Sequence, residues 1–132
     1  MFEITQLGKY CYVEGGYAYK SENFKNTGNH KLIKIKNIRN GYIDYSNTSF
    51  IDNDLAKKTL KWQTRHKDVL ISMTGSGPNA PASVVGRVAQ VSKNDPTTFI
   101  NQRIGRLRLK LDKAISLDFV FYLLKITFAA SK

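Results

Sequence analysis

Within Ile104 to Leu111 the chain alternates from Arg106 onward, with Leu107, Leu109 and Leu111 on one side and Arg106, Arg108 and Lys110 on the other. A period of two residues marks an extended strand with one apolar face, because wound as a helix the same residues would scatter leucine and arginine all round the axis. Leu32-Ile33-Lys34-Ile35-Lys36-Asn37-Ile38 repeats the pattern, placing Ile33 and Ile35 inward and Lys34 and Lys36 outward. Two strands of this kind require a sheet and a second layer to cover its apolar face.

Turn chemistry divides the rest of the chain into short pieces, at Gly15-Gly16, Asn26-Thr27-Gly28-Asn29, Asn40-Gly41, Gly75-Ser76-Gly77-Pro78 and Asn94-Asp95-Pro96. Between these lie further strand candidates at Tyr10 to Val13, Tyr42 to Tyr45, Val69 to Thr74 and Ser83 to Val91, with a short helix at Asp54 to Leu60. Ser116 suits an N-cap, Asp118 falls in the first turn, and Leu117 to Ala130 follows as a helix without a breaker. That helix is apolar on nearly every face, more than one small sheet can cover. It holds Asp118 and Lys125 and is shorter than the roughly 20 residues a membrane span needs, so it reads as a packed helix. The expected fold is α+β: a bent, mostly antiparallel sheet of short strands with small helices and a C-terminal helix. Its 132 residues suffice for one domain.

The net charge of +11 is unevenly placed. Lys31 to Asn40 carries +4 and Asn101 to Lys113 another +4, while Met1 to His30 sums to zero. Both clusters fall on the alternating strands, which points to a cationic surface for a polyanion such as a nucleic acid. The simpler reading of any single lysine here is a solubilising one. Cys11 is the lone cysteine, so neither an intrachain disulfide nor a cysteine zinc site can form. A single cysteine fits a reducing cytoplasm, and Met1 to Tyr10 carries Glu3 and no apolar core of signal-peptide length.

The constellations that enzymes need are missing. His30 and His66 stand apart without metal-ligand spacing, and no Asp or Glu is followed two residues later by Lys, as a Mg²⁺ nuclease strand would show. Gly75-Ser76-Gly77-Pro78 has the glycines of a phosphate loop but no Lys-Ser/Thr pair, and Pro78 removes a backbone donor. Asn94-Asp95-Pro96-Thr97 lacks the second proline and the aromatic ring of a base methyltransferase motif. A non-enzyme without a cofactor is expected.

Several segments, taken in order, resemble the target recognition domain of type I restriction-modification specificity subunits. Leu7-Gly8 followed by Gly15-Gly16 resembles the family's opening, and Lys20-Ser21-Glu22-Asn23-Phe24 its next polar turn. Leu32 to Ile38 with Asn40-Gly41-Tyr42-Ile43 is similar to its hydrophobic-(Arg/Lys)-x-x-(Asn/Asp)-Ile strand and turn. Lys67-Asp68-Val69-Leu70-Ile71-Ser72-Met73-Thr74-Gly75 resembles Gly-Asp-(Ile/Val)-Leu-(hydrophobic)-Ser-x-x-Gly, with Lys67 in place of the usual glycine. Asn101-Gln102-Arg103-Ile104 resembles the later Asn-Gln, and Leu117 to Leu124 the start of the helix after the domain. The resemblance implies a recognition domain over residues 1–115 and the first turns of a spacer helix over 116–132. It also implies non-catalytic reading of a half-site in double-stranded DNA. Methyltransferase and restriction subunits would be the partners, and would use S-adenosylmethionine, and ATP with Mg²⁺. The second recognition domain and most of the spacer that the family carries are not in this chain.

For phosphate contacts the pattern nominates Lys34, Lys36, Arg39, Arg106 and Arg108; for base edges, Lys20, Ser21, Thr74, Ser76, Asn79, Gln102 and Arg103 at loop and motif edges. Tyr17, Tyr19, Tyr42 and Tyr45 can stack or touch thymine methyls, with at least two of them expected in the core. Two other classes compete: a basic RNA-binding domain, and an interaction module that acts, or self-associates, through its apolar C-terminal helix.

Overall fold

The alternating segment at Ile104 is a strand, β7 (Ile104–Leu109), but it is covered on both faces. It lies between β1 (Cys11–Gly15) and β4 (Val69–Ser72), antiparallel to both, and β5 (Val88–Gln90) completes the order β1-β7-β4-β5. The computed structural model describes residues 8–73, 87–110 and 115–130, and structural statements below concern these. A second sheet has the order β3-β2-β6. Here β2 (His30–Ile33) pairs antiparallel with β3 (Ser49–Ile51) and parallel with β6 (Thr98–Ile100). Short, mostly antiparallel strands and a C-terminal helix make the fold α+β, with the strands shared between two sheets.

Four layers result. Helix α2 (Leu117–Ala130) lays Val120, Leu123 and Leu124 on the face of the first sheet formed by Val69, Val88, Leu107 and Cys11. The opposite face, with Leu70, Ala89 and Ile104, meets Ile33 and Ile100 of the second sheet. On the far side of that sheet Leu32, Ile51 and Phe99 pack with Ala56 of helix α1 (Asn53–Lys58) and with Tyr19. Because each sheet has two covered faces, neighbouring residues such as Leu32 and Ile33 are both fully buried, which a half-solvated strand does not allow.

This layering corrects two expectations. The strand predicted over Leu32 to Ile38 ends at Ile33, and the chain leaves it in a 3₁₀ turn, Ile35–Asn37. Buried Asn37 holds that turn: its Oδ1 accepts from the Lys34 N–H at 3.0 Å, and its Nδ2 donates to the carbonyls of Asp44 and Asn47, each at 3.0 Å. Tyr42 to Tyr45 forms no strand. It makes one isolated bridge, Ile38 with Ile43, and Gly41 just before it bridges Ala89 with its φ at +95°. Ser49–Ile51 and Thr98–Ile100 are strands that no periodicity announced, being three residues each.

Elsewhere local chemistry set the boundaries. The Asp52 carboxylate caps α1 by accepting from the Leu55 N–H at 2.8 Å, and the Ser116 hydroxyl caps α2 by accepting from Phe119 N–H at 3.1 Å. Lys67 sits at φ +77°, in the left-handed region where a side chain is strained. A glycine would be relaxed there.

Candidate functional site

Strand directions bring most of the loops that matter to one end of the molecule. Both β1 and β4 run antiparallel to β7, so they finish where β7 begins, and β5 starts beside the end of β4. Parallel β2 and β6 finish at the same end, where the Asn101 N–H donates to the Ile33 carbonyl at 3.2 Å.

At the centre of this end is the turn between β6 and β7, residues 101–103. The neighbours pin its backbone on several sides. Tyr17 N–H donates to the Ile100 carbonyl at 3.1 Å, Gly16 N–H to the Ile104 carbonyl at 2.9 Å, and Met73 N–H to the Arg103 carbonyl at 3.0 Å. Gly16 is required for this approach, because a Cβ there would collide with the carbonyl oxygens of Ile100 and Asn101. The Asn101 Oδ1 accepts from the Gln102 N–H at 2.8 Å. The side chains of Gln102 and Arg103 are left exposed, with no hydrogen bond or ion pair to the described residues. A held backbone carrying free amide and guanidinium groups can present them to an external partner with little further ordering cost.

Cations flank the turn. Lys34 follows β2, half-buried, with its Nζ 4.7 Å from the centre of the Phe24 ring. Burial, and secondarily the charge of Lys36, lowers its pKa, which an anion at this place would reverse. Lys36 is exposed on the 3₁₀ turn. Lys20 and Ser21 are exposed at the start of the 3₁₀ turn Ser21–Asn23 that leads to Phe24. Arg39 lies further along, where Arg87 Nη1 donates to the Ile38 carbonyl at 3.4 Å. It is partly engaged with Asp44 at 3.6 Å, and the Asp44 carboxyl is held below its ordinary range chiefly by Ser46, then by Arg39.

The structure withdraws Arg106 from the solvent-facing set. On β7 it projects between the two sheets and is fully buried. Its Nη2 donates to Glu14 Oε1 at 2.8 Å and to the Lys61 carbonyl at 2.6 Å, and its Nη1 donates to the Gln63 carbonyl at 2.9 Å and lies 3.5 Å from Asp68. A guanidinium so enclosed cannot reach a phosphate; the period-two reading failed because the polar face of the strand is covered by the second sheet. Arg106 holds Glu14 below the usual carboxylate range. Arg108 is half-buried, 3.4 Å from the same carboxylate. It sits four residues along β7 from the loop end, about 13 Å away at strand spacing. Thr74, Ser76 and Asn79 lie outside the described residues.

Sequence reasoning missed Trp62 and Lys61. The Trp62 indole donates to the Gly15 carbonyl at 3.1 Å, its ring centre is 4.9 Å from that of Tyr17, and Lys61 Nζ lies 5.4 Å over it. Nothing local predicts where the 3₁₀ turn Leu60–Trp62 docks, since its position depends on pairing across the fold. Of the four tyrosines, Tyr17 and Tyr42 are exposed. Tyr19 is buried with its hydroxyl donating to Thr59 at 2.7 Å. The half-buried Tyr45 donates to Asp95 at 3.0 Å, and burial and that carboxylate raise its pKa. Among the described residues no cluster of three or more His, Cys, Asp or Glu could hold a metal ion. No helix among them is long and apolar enough to cross a membrane.

The sequence pattern of the type I restriction modification DNA specificity domain matches residues 1–132. The chain belongs to that family. A search of curated proteins finds no match. A solved structure concerned with complex assembly and conformational transition of the type I R-M system contains a chain of similar fold. Its TM-score is 0.59 at 17% identity, over 89% of this chain and 25% of that one. The specificity domain thus spans about a quarter of the length of that relative. Membership bears out the resemblance and the reading of this chain as a DNA specificity domain, and nothing found favours the RNA-binding class.

Proposed function

We propose that this specificity domain reads a short half-site in double-stranded DNA through the end of the molecule described above, and performs no chemistry itself. Gln102 and Arg103 would face base edges in the major groove, where an amide can make two hydrogen bonds to adenine and a guanidinium two to guanine. Lys34 and Lys36 would neutralise phosphates and set the register, with Lys20, Ser21 and Arg39 at the margin of the contact. The observation that carries this reading is the Asn101–Arg103 turn, whose backbone is fixed by three neighbouring segments while its Gln102 and Arg103 side chains make no hydrogen bond or ion pair among the described residues.

Residues 1–115 would be the recognition domain and 116–132 the first turns of a spacer helix. Helix α2 exposes Phe119, Tyr122 and Ile126 on its outer side, which supports contact with further helices of an assembly or with a second copy. Methyltransferase and restriction subunits would act from there in the cytoplasm, supplying cofactors this domain does not hold.

Selection of bound duplexes from a random pool tests the proposal. A preference at about three or four base pairs is expected. Retention of duplexes without preference, or stronger retention of structured RNA in competition, would overturn it.

A further inference from the structure

Strand order places a second group of cations at this end, beyond those the alternating strands contain. Helix α1 begins where β3 ends, at the edge opposite the loop end, because Ile51 pairs with His30 at the start of β2. The helix then runs back, so that Lys57 and Lys58 in its last turn approach the loop end, and Leu60–Trp62 completes the return. Gln63 bridges Phe99 antiparallel, adding a short extension to the second sheet beside β6, and this leaves Lys61 and Trp62 alongside Asn101. Across the loop end the order is Lys34 after β2, the turn at Gln102 after β6, then Lys61.

Lys57, Lys58 and Lys61 are all exposed, and no ion pair among the described residues neutralises them. The chain from Lys57 to Arg65 holds four cations and no acid. Stabilisation of the C-terminus of α1 accounts for Lys57 and Lys58 in part. It does not account for Lys61, which lies past that helix and is steered over the Trp62 ring that also packs on Tyr17. Two strand spacings separate the Lys34 and Lys61 backbones, about 10 Å. With their stems extended outward, the two groups match a major groove about 12 Å wide.

We infer that Lys57, Lys58 and Lys61 form a second phosphate-contacting bank, gripping the backbone on the side of the groove opposite Lys34 and Lys36, so that Gln102 and Arg103 are held between two rows of phosphates. This rests on the proposed DNA reading and adds to it the residues that fix the duplex from the other side.

The test uses the 132-residue chain, the duplex recovered by selection and a random-sequence duplex, with affinity measured by fluorescence anisotropy across a salt series. The triple variant Lys57→Gln, Lys58→Gln, Lys61→Gln should lose affinity for both duplexes by the same factor. Its slope of log K against log salt should fall by about 0.9 for each phosphate it no longer neutralises, so that the step from about 50 to about 200 mM salt costs it roughly tenfold less than the wild type if two phosphates are released. The triple arginine variant should keep the wild-type slope. Lys93→Gln, an exposed cation in the turn after β5 at the other end, should also leave it unchanged. A glutamine variant that retains the wild-type slope while the wild type still prefers its selected duplex overturns the second bank alone. A wild type that prefers no duplex overturns the DNA reading and the bank with it.

Discussion

Replacing Arg106 separates a structural cation from a DNA-binding one. In Arg106→Met the volume is largely kept but the charge is removed, stranding Glu14, 23% exposed, and Asp68, 7% exposed, beside a fully buried site. The carbonyls of Lys61 and Gln63 lose their donors at the same time. Removing one partner of a buried ion pair costs about 3–5 kcal/mol. For 132 residues, an unfolding entropy of about 2.1 cal/mol/K per residue makes 1 kcal/mol worth roughly 3.5 °C, so the melting temperature should fall by about 10–18 °C. Against a typical stability of about 5–15 kcal/mol such a loss leaves between almost none and about 12 kcal/mol, so DNA binding is measured near 5 °C to keep the variant folded. There its salt slope should equal that of the wild type. Adding Glu14→Gln and Asp68→Asn, which removes the stranded charges, should restore about half of the stability that Arg106→Met takes away. Calorimetry paired with the salt series decides the matter. An unchanged melting temperature together with a slope lower by about 0.9 would show that Arg106 touches a phosphate and that the packing argument is wrong.

Arg103→Ala should weaken binding to the selected duplex more than to a random one, by about 1–3 kcal/mol of discrimination; equal losses on both would remove it from base reading. Glu14 titrates below its ordinary value of 4.5 because Arg106 donates to its charged form, so its contribution to stability is present above that pH and disappears as pH falls through the lower folded value. Thermal melts from neutral pH to pH 3 should show this loss in the wild type and a shallower one in Glu14→Gln; identical profiles would refute it. Lys67→Gly should exceed Lys67→Ala in stability by about 1 kcal/mol, since both remove the ion pair to Asp118 and only alanine keeps the strain of φ +77°. Equal melting temperatures would mean that the backbone there relaxes at no cost.

Local chemistry was readable in advance where a short-range interaction decides the outcome. The C-terminal helix spans Leu117–Ala130 as its Ser116 cap and run of helix formers indicate, and β7 starts at Ile104 as the strand candidate does. Gln102 and Arg103 were legible only as polar residues at a motif edge beside the alternating strand; the turn that holds them was not, because the strand before it, Thr98–Ile100, is too short to show a period. The position of Lys67 among the family's motif residues marked a backbone site suited to glycine, and its dihedral angle agrees.

Which face of a strand meets solvent was beyond such reasoning. Alternation along Ile104–Leu109 tells that Leu107 and Arg106 point apart, yet whether the polar side sees water depends on a second sheet and on carbonyls such as that of Gln63, 43 positions away along the chain. The same holds for the end of β2 at Ile33, where Asn37 holds the turn through the carbonyls of Asp44 and Asn47, seven and ten positions on, and for Lys61 and Trp62, carried to Asn101 by a bridge to β6. Hydrogen bonds within a few residues are written in the order of the chain. Burial and charge pairing are sums over every layer, and only the packed structure fixes them.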